Sequence, residues 1–296
     1  MRGCCFPLSI ILVLILFLIV CGCTGMQSQS VKPAYQVSDD GILTMQIPHG
    51  VVVNKTLETE GNVTVEELTF TNFGGNVSAV LIAPEHPKEG AVWAPGAGVP
   101  ASGHIGHLLE YGRQGYAVLV VDVRGNGGNT SGYPLNLEKD YGKFSAGEWP
   151  QIYLIIADMI DAERYLHERY GLIPIWMIGE SNGGRYAAVA AAIDNESAGY
   201  VGISTSGFER QGDQYQGSAR SFLLSIDPDV MGPRIAPRPS LIFHAPKDPI
   251  IPIDLGEKLA TTLGKSAQFF TFNGTHGFND EVDQTLRDQF QKYLNN

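Results

Sequence analysis

Short apolar runs alternate with segments of helical spacing over most of this chain. The runs, many of them enriched in valine, are typical of strands buried on both faces, and they occupy residues 90–95, 116–123, 174–180, 199–205, 239–245 and 267–272. Helical spacing of apolar positions is found in residues 102–115, 148–169, 182–193, 254–263 and 278–294. This alternation predicts an α/β fold with a mostly parallel central sheet and helices on both faces.

The start of the folded region follows a different pattern. Two alternating, β-rich runs in residues 63–84 flank the sequence "FGGN" at 73–76, which indicates an antiparallel hairpin. We expect this N-terminal hairpin to form the antiparallel edge of the sheet. Residues 24–50 are polar and lack a clear period, which predicts a tether, so the domain itself is expected to span residues 51–296.

Two stretches fit neither the strand nor the helix period. Residues 124–147 are rich in glycine and asparagine, and residues 206–238 mix polar, apolar and proline positions. Long excursions from a parallel sheet usually lie over the strand ends where ligands bind. We therefore predict that residues 206–238 form a cap.

The N-terminus carries a targeting segment. Residues 4–23 form an unbroken apolar stretch behind one positive charge, Arg2, as in a secretory signal. Its end, "VCGC", resembles the lipobox of secreted lipoproteins, and this resemblance implies cleavage and lipid attachment at Cys23. The alternative is an uncleaved helix, since the stretch is long enough to span a bilayer. Either anchor leaves the domain on the outer side of the membrane.

Composition agrees with an exported, soluble domain. Of 296 residues, 44% are hydrophobic and 17% charged, and all four cysteines lie within residues 4–23, which leaves no disulfide or cysteine metal site in the body. Without residues 1–22, 19 basic groups face 31 acidic ones, a net charge of −12 that disfavours nucleic-acid partners. Glycosylation sequons, which support export, begin at Asn54, Asn62, Asn76, Asn129, Asn195 and Asn273.

A candidate nucleophile stands between a predicted strand and a predicted helix. The sequence "GESNGG" places Ser181 at this turn, where Gly179 and Gly183 provide room for a sharp nucleophile elbow. The amide of Asn182, at the start of the helix, is a candidate oxyanion-hole donor. A serine that merely caps the helix is the alternative.

A nucleophilic serine needs a base and an orienting acid, which follow it in the order serine, acid, histidine in this arrangement. Only His244 and His276 follow Ser181 in the chain. His244 lies within an apolar run and is interpreted as a core histidine, whereas His276 follows the last strand between two glycines and is the candidate base. Asp248, in the loop after a strand, is the candidate acid, and Asp254 is the alternative.

Together, "GESNGG", "HAPKDPIIP" and "GTHGF" resemble the α/β-hydrolase superfamily, and more narrowly the branch of dienelactone-hydrolase-like proteins and prolyl-oligopeptidase catalytic domains. The resemblance extends from about residue 65 to the end. It implies a second oxyanion donor at Ala97 or Gly98, and structural roles for Asp122 and Arg124. The His-Gly-Gly-Gly loop of many lipases is absent, and serine stands where dienelactone hydrolases carry cysteine.

The predicted activity is hydrolysis of small acyl esters through a Ser181–His276–Asp248 triad and an acyl-enzyme, outside the cytoplasm. No metal or organic cofactor is expected, and His104 and His107 are interpreted as a solvated helix face rather than a zinc pair. The alternatives are a serine exopeptidase acting on short peptides and a non-catalytic surface binding module with the same fold.

Overall fold

The computed structural model describes residue 1 and residues 31–294. The strands are β1 (Ala34–Val37), β2 (Leu43–Gln46), β3 (Val51–Glu60), β4 (Val63–Asn72), β5 (Gly75–Pro84), β6 (Glu89–Ala94), β7 (Tyr116–Val121), β8 (Ile175–Glu180), β9 (Gly199–Ile203), β10 (Ser240–His244) and β11 (Ala267–Thr271). The α-helices are α1 (Ile105–Arg113), α2 (Leu137–Ser145), α3 (Gln151–Tyr170), α4 (Asn182–Ile193), α5 (Gly217–Ser225), α6 (Pro228–Met231), α7 (Ile253–Leu263) and α8 (Asp280–Leu294). Short 3₁₀ turns occupy Ala101–His104, Gln211–Gln214 and Gly232–Ile235.

The main sheet has nine strands in the order β11-β10-β9-β8-β6-β7-β5-β4-β3. Strands β6 to β11 pair in parallel, whereas β3, β4 and β5 are antiparallel to their neighbours and form one edge. The predicted α/β class, with an antiparallel N-terminal hairpin on a mostly parallel sheet, is confirmed. The hairpin β4–β5 turns at the predicted "FGGN" and is extended by β3.

Both faces of the sheet are buried under helices. Alternate residues of β8 illustrate this, because Ile175 and Met177 pack into one apolar cluster and Trp176 and Ile178 into the other. Helices α3, α4 and α7 cover the first face, and α1 and α8 cover the second. Burial on both faces explains why these strands are continuous apolar runs in the sequence rather than alternating ones.

The prediction of a tether over residues 24–50 is wrong for its described part, residues 31–50. Strands β1 and β2 form an antiparallel hairpin within the same compact unit as the main sheet. The ring of Tyr35 contacts Tyr153 of α3 at a centroid distance of 5.0 Å, and Leu43 is 1% exposed. Arg220 of α5 donates to the carbonyl of Asp39 in the hairpin turn at 2.6 Å. Two short strands gave too weak a period to be recognised.

The packing of the β1–β2 hairpin against the domain should contribute to the stability of the protein. Leu43→Ala removes a buried side chain and should lower the free energy of unfolding by about 2–4 kcal/mol, because truncating a core leucine loses both transfer energy and packing. Urea denaturation measures the change. Val51→Ala is the matched control, since Val51 is 70% exposed and its truncation should have little effect. Equal stabilities for the two variants would mean that the hairpin is not part of the core.

The two irregular stretches contain helices that their sequences did not reveal. Residues 124–147 include α2, and residues 206–238 include α5 and α6. Within the second stretch Phe222, Met231 and Ile235 are fully buried in the same cluster as α4. Much of the predicted cap therefore belongs to the helical layer over one face of the sheet.

The apolar segment 4–23, with its predicted lipidation site Cys23, lies outside the described residues. Among the helices that the structure does describe, none combines the length and apolar character needed to cross a membrane.

Candidate active site

Ser181 sits in a strained turn between β8 and α4. Its backbone angles are φ 53° and ψ −120°, a conformation that costs a non-glycine residue about 1–3 kcal/mol. Hydrogen bonds hold the turn from both sides: the Ser181 amide donates to the carbonyl of Ile203 at 2.9 Å, and the Ser181 carbonyl accepts from Thr205 Oγ1 at 2.7 Å. The neighbouring strand β9 thus fixes the position of the candidate nucleophile.

Two glycines allow this turn to pack closely. A Cβ on Gly179 would lie 2.2 Å from the carbonyl oxygen of Gly183, and a Cβ on Gly183 would lie 2.0 Å from the carbonyl oxygen of Ala94. Both distances are far inside van der Waals contact with backbone atoms that cannot move aside. Any side chain at either position would therefore displace the turn that carries Ser181.

Asp248 and His276 form a partly buried hydrogen-bonded pair. Asp248 lies in the loop after β10, and its Oδ2 is 2.8 Å from Nδ1 of His276. Its Oδ1 accepts from the amides of Ile250 and Ile251 at 2.8 and 3.0 Å. Burial raises the pKa of Asp248, but the amides and His276 outweigh it and hold that pKa below the usual value. An ionised carboxylate is therefore available to orient the imidazole, and Nε2 of His276 has no hydrogen-bond partner within residues 31–294.

The other two candidates from the sequence are placed differently. Asp254 lies in the first turn of α7 and has no side-chain hydrogen bond within the described part of the chain. His244 is fully buried, and its Nε2 lies 2.8 Å from the carbonyl oxygen of Ile251 and 3.6 Å from Oδ2 of Asp248. It packs beneath the Asp248 loop as a core histidine.

The turn that carries His276 is fastened beside the turn that carries Ser181. The amide of Gly277 donates to Ser204 Oγ at 3.0 Å, directly after β9. A Cβ on Gly277 would lie 3.0 Å from Oε1 of Glu180, the residue before Ser181. Ser181, Asp248 and His276 thus follow the carboxyl ends of β8, β10 and β11, which lie at the same end of the parallel strands. Among the described residues, no hydrogen bond joins Ser181 to His276.

The candidate oxyanion donors line one cavity beside Ser181. This side cavity has a volume of about 140 Å³, and its lining includes Ala97, Gly98, Leu135, Asp140, Asn182 and Tyr186. The loop that carries Ala97 is held by Asn126, whose side chain donates to the carbonyl of Gly96 at 2.8 Å. Within residues 31–294, the amide of Ala97 has no hydrogen-bond acceptor, so it is free to receive a ligand oxygen.

Arg185 supports this arrangement and was not identified from the sequence. Its guanidinium donates to Asn182 Oδ1 at 2.9 Å and to the carbonyl of Ser206 at 3.1 Å, and it lies 4.4 Å from the ring centroid of Phe208. These contacts fix the side chain of Asn182 next to Ser181. The spacing of three residues between Asn182 and Arg185 on a helix was the available signal.

Asp122 and Arg124, expected to be structural, hold the loops around the site. Asp122 accepts from the amides of Ala101 and Thr130 at 3.1 and 2.9 Å. Arg124 donates twice to Asp158 of α3, at 2.7 and 2.9 Å. These contacts are with loop residues and with α3, and none of them is with Ser181.

The interpretation of His104 and His107 as a solvated helix face is wrong for His104. His107 is exposed, but His104 is 5% exposed and packs on Trp93, with its Nε2 3.9 Å from Oε2 of Glu180. Burial lowers the pKa of His104 to about 4, so the ring is neutral at neutral pH. Burial also raises the pKa of Glu180. Within the described residues, no group of three or more side chains is arranged to hold a metal.

No protein-family model matches the chain, and no curated protein matches it in sequence. Several solved structures match the chain in fold. Acetyl xylan esterase 1 from a Thermoanaerobacterium species has a TM-score of 0.66 at 18% identity, covering 83% of this chain and 88% of that one. An acetyl xylan esterase from a Paenibacillus species has a TM-score of 0.66 at 16% identity, covering 82% and 88%. The glucuronoyl esterase of Solibacter usitatus has a TM-score of 0.61 at 13% identity, covering 90% and 89%. At these identities the likeness is one of fold.

Proposed function

We propose that this chain, whose described body has the α/β-hydrolase fold, is a serine hydrolase that cleaves small acyl esters. The 2.8 Å contact between Asp248 and His276, at the edge where Ser181 occupies a strained turn, carries this proposal. A strained, partly exposed serine beside a carboxylate-oriented imidazole is the constellation that acyl transfer requires.

In the proposed reaction, Ser181 Oγ attacks the ester carbonyl while Nε2 of His276 takes the serine proton. The carbonyl oxygen becomes negatively charged and accepts hydrogen bonds from the amides of Asn182 and Ala97. His276 then returns the proton to the departing alcohol, which leaves an acyl group on Ser181. Water activated by the same imidazole hydrolyses this intermediate and restores the serine.

A hydrogen bond between Ser181 and His276 must form when substrate binds, because the described structure does not contain it. Catalytic hydrogen bonds are often long before substrate binds and tighten in the complex. Within residues 31–294 the His276 ring is held by one hydrogen bond, to Asp248, whereas Asp248 is also fixed by two amides. Asp248 therefore acts as the fixed point about which the imidazole is oriented.

The names of the structural neighbours support esters of carbohydrates as the substrate class. Two of the three neighbours are acetyl xylan esterases and the third is a glucuronoyl esterase. We propose that the ester substrate of this chain joins a small acyl group to a polyol or sugar. Localisation outside the cytoplasm, through a lipid on Cys23 or a membrane-spanning segment, is part of the same proposal.

A fluorophosphonate probe tests the activity class directly. Purified protein should be labelled at Ser181, and Ser181→Ala should not be. A panel of p-nitrophenyl esters and peptide p-nitroanilides then identifies the bond that is cleaved. Cleavage of the anilides alone would favour the exopeptidase, and failure of well-folded protein to react with probe or panel would favour a binding module.

A further inference from the structure

The side cavity contains polar groups that the proposed reaction does not use. Most of its polar lining is already paired within the protein. Gln151 donates to the carbonyl of Tyr133 at 2.6 Å, and Asn126 donates to that of Gly96 at 2.8 Å. Arg124 is paired with Asp158. These three side chains therefore have little capacity left for a ligand.

Two oxygen groups that belong to buried residues line the cavity without a hydrogen bond to the described part of the chain. Asp140 is 1% exposed, and its Oδ1 accepts from the Tyr133 hydroxyl at 2.5 Å and the Gln151 amide at 2.6 Å, but its Oδ2 has no partner within residues 31–294. Tyr186 is 5% exposed, and its hydroxyl has no partner in the same part of the chain. Because neither oxygen is sealed within the protein, both are accessible to a ligand in the cavity.

These two groups are electrostatically coupled. Burial is the main cause that raises the pKa of Tyr186, Arg185 opposes it, and the charge of Asp140 raises it further. The phenol therefore stays protonated and can donate, while the carboxylate can only accept. A ligand group that pairs the phenol hydrogen as well as the carboxylate must accept one hydrogen bond and donate another.

We propose that the side cavity receives a short acyl group that carries a hydroxyl, which donates to Asp140 and accepts from Tyr186. A hydroxyl fits both partners, whereas an ammonium group could not accept from Tyr186. This inference rests on the proposed ester hydrolysis, because the cavity lies beside the amides of Ala97 and Asn182 that would bind the carbonyl oxygen.

The size of the cavity limits the length of this acyl group. Its volume of about 140 Å³ lies well below the range of about 300–1,000 Å³ that is usual for drug-sized ligands. Such a volume suits a small group rather than a drug-sized one. Leu135 and Ile155 supply apolar walls for the carbon chain. A short hydroxylated acyl group therefore fits this cavity better than a long fatty acyl chain.

Matched esters with one leaving group test the inference. The wild-type kcat/KM for each enantiomer of p-nitrophenyl 3-hydroxybutyrate is compared with that for p-nitrophenyl butyrate. We expect at least about a tenfold preference for one hydroxylated enantiomer, because a site built to bind a hydroxyl discriminates against the analogue that lacks it. p-Nitrophenyl octanoate should be a poorer substrate than the butyrate.

Variants locate the source of the preference. Tyr186→Phe and Asp140→Asn should each reduce the ratio of the two kcat/KM values towards one. Tyr186→Phe breaks no hydrogen bond of the described protein, and Asp140→Asn keeps an acceptor at Oδ1, so both variants should fold. Tyr116→Phe is the control, since it removes the hydroxyl of a buried tyrosine at the opposite end of the strands and should leave the ratio unchanged.

The outcomes separate the two proposals. Hydrolysis of both esters at equal rates, or a preference that survives in both variants, would overturn the assignment of the cavity while leaving the esterase in place. Protein that hydrolyses no ester and is not labelled by fluorophosphonate would overturn the proposed function, and this inference with it.

Discussion

Ser181→Ala should lower kcat for a p-nitrophenyl ester by about 10⁴-fold to 10⁶-fold, because removal of the nucleophile in a serine triad leaves only transition-state binding. Oxyanion donors and bound water would account for the residual rate. KM should change little, since the substrate contacts the cavity walls and amides as before. Steady-state kinetics at a series of ester concentrations measures both quantities.

A second variant separates lost chemistry from lost structure. Ser181→Gly should be as inactive as Ser181→Ala, but it should be at least as stable as wild-type protein, because glycine adopts the φ of 53° without strain. Thermal unfolding followed by circular dichroism provides the comparison. Ester hydrolysis that persists in both variants would refute the assignment of Ser181 as nucleophile.

Asp248→Asn should lower kcat by about 10⁴-fold, because an amide in place of the carboxylate favours the wrong tautomer of the base and cannot stabilise the imidazolium. Asp254→Asn is the matched control, since Asp254 is the other acid that the sequence allowed and makes no contact with His276. It should retain wild-type kinetics. If Asp254→Asn were inactive and Asp248→Asn active, the assignment of Asp248 as the acid that orients His276 would be wrong.

The pKa of Asp248 gives this variant a dependence on pH as well. Because the folded-state pKa lies below that of the unfolded chain, the ionised carboxylate contributes stability above about pH 3.9, the ordinary aspartate value. That contribution is lost as the pH falls through the folded-state pKa. The stability difference between wild-type protein and Asp248→Asn should therefore shrink when urea denaturation is moved from pH 7 to pH 3.

The fold could be predicted largely from the sequence because the parallel strands are buried on both faces. A strand such as β8 must be apolar at successive positions, and that requirement leaves a clear run in the chain. The first hairpin was missed for the opposite reason. Each of its strands has four residues, and only Leu43 is deeply buried. Such short segments show neither the alternation of a strand nor the spacing of a helix.

The candidate site was predictable only where residues are close in the chain. Ser181, Gly183 and Asn182 form one turn, so their spacing was informative. The choice between Asp248 and Asp254 depended on which carboxylate reaches His276, and a sequence does not contain that distance. The side cavity was equally hidden, because Asp140 and Tyr186 come from different helices and meet only after folding.

The hydrogen bonds between Ser204 and Gly277 should affect how the protein loses activity on heating. Ser204 Oγ accepts from the Gly277 amide at 3.0 Å and lies 3.4 Å from the Gly277 carbonyl oxygen, so the histidine turn is tied to the strand beside the serine. The imidazole cannot be released by fraying of the C-terminal helix alone. Thermal inactivation should therefore coincide with melting of the whole sheet rather than precede it.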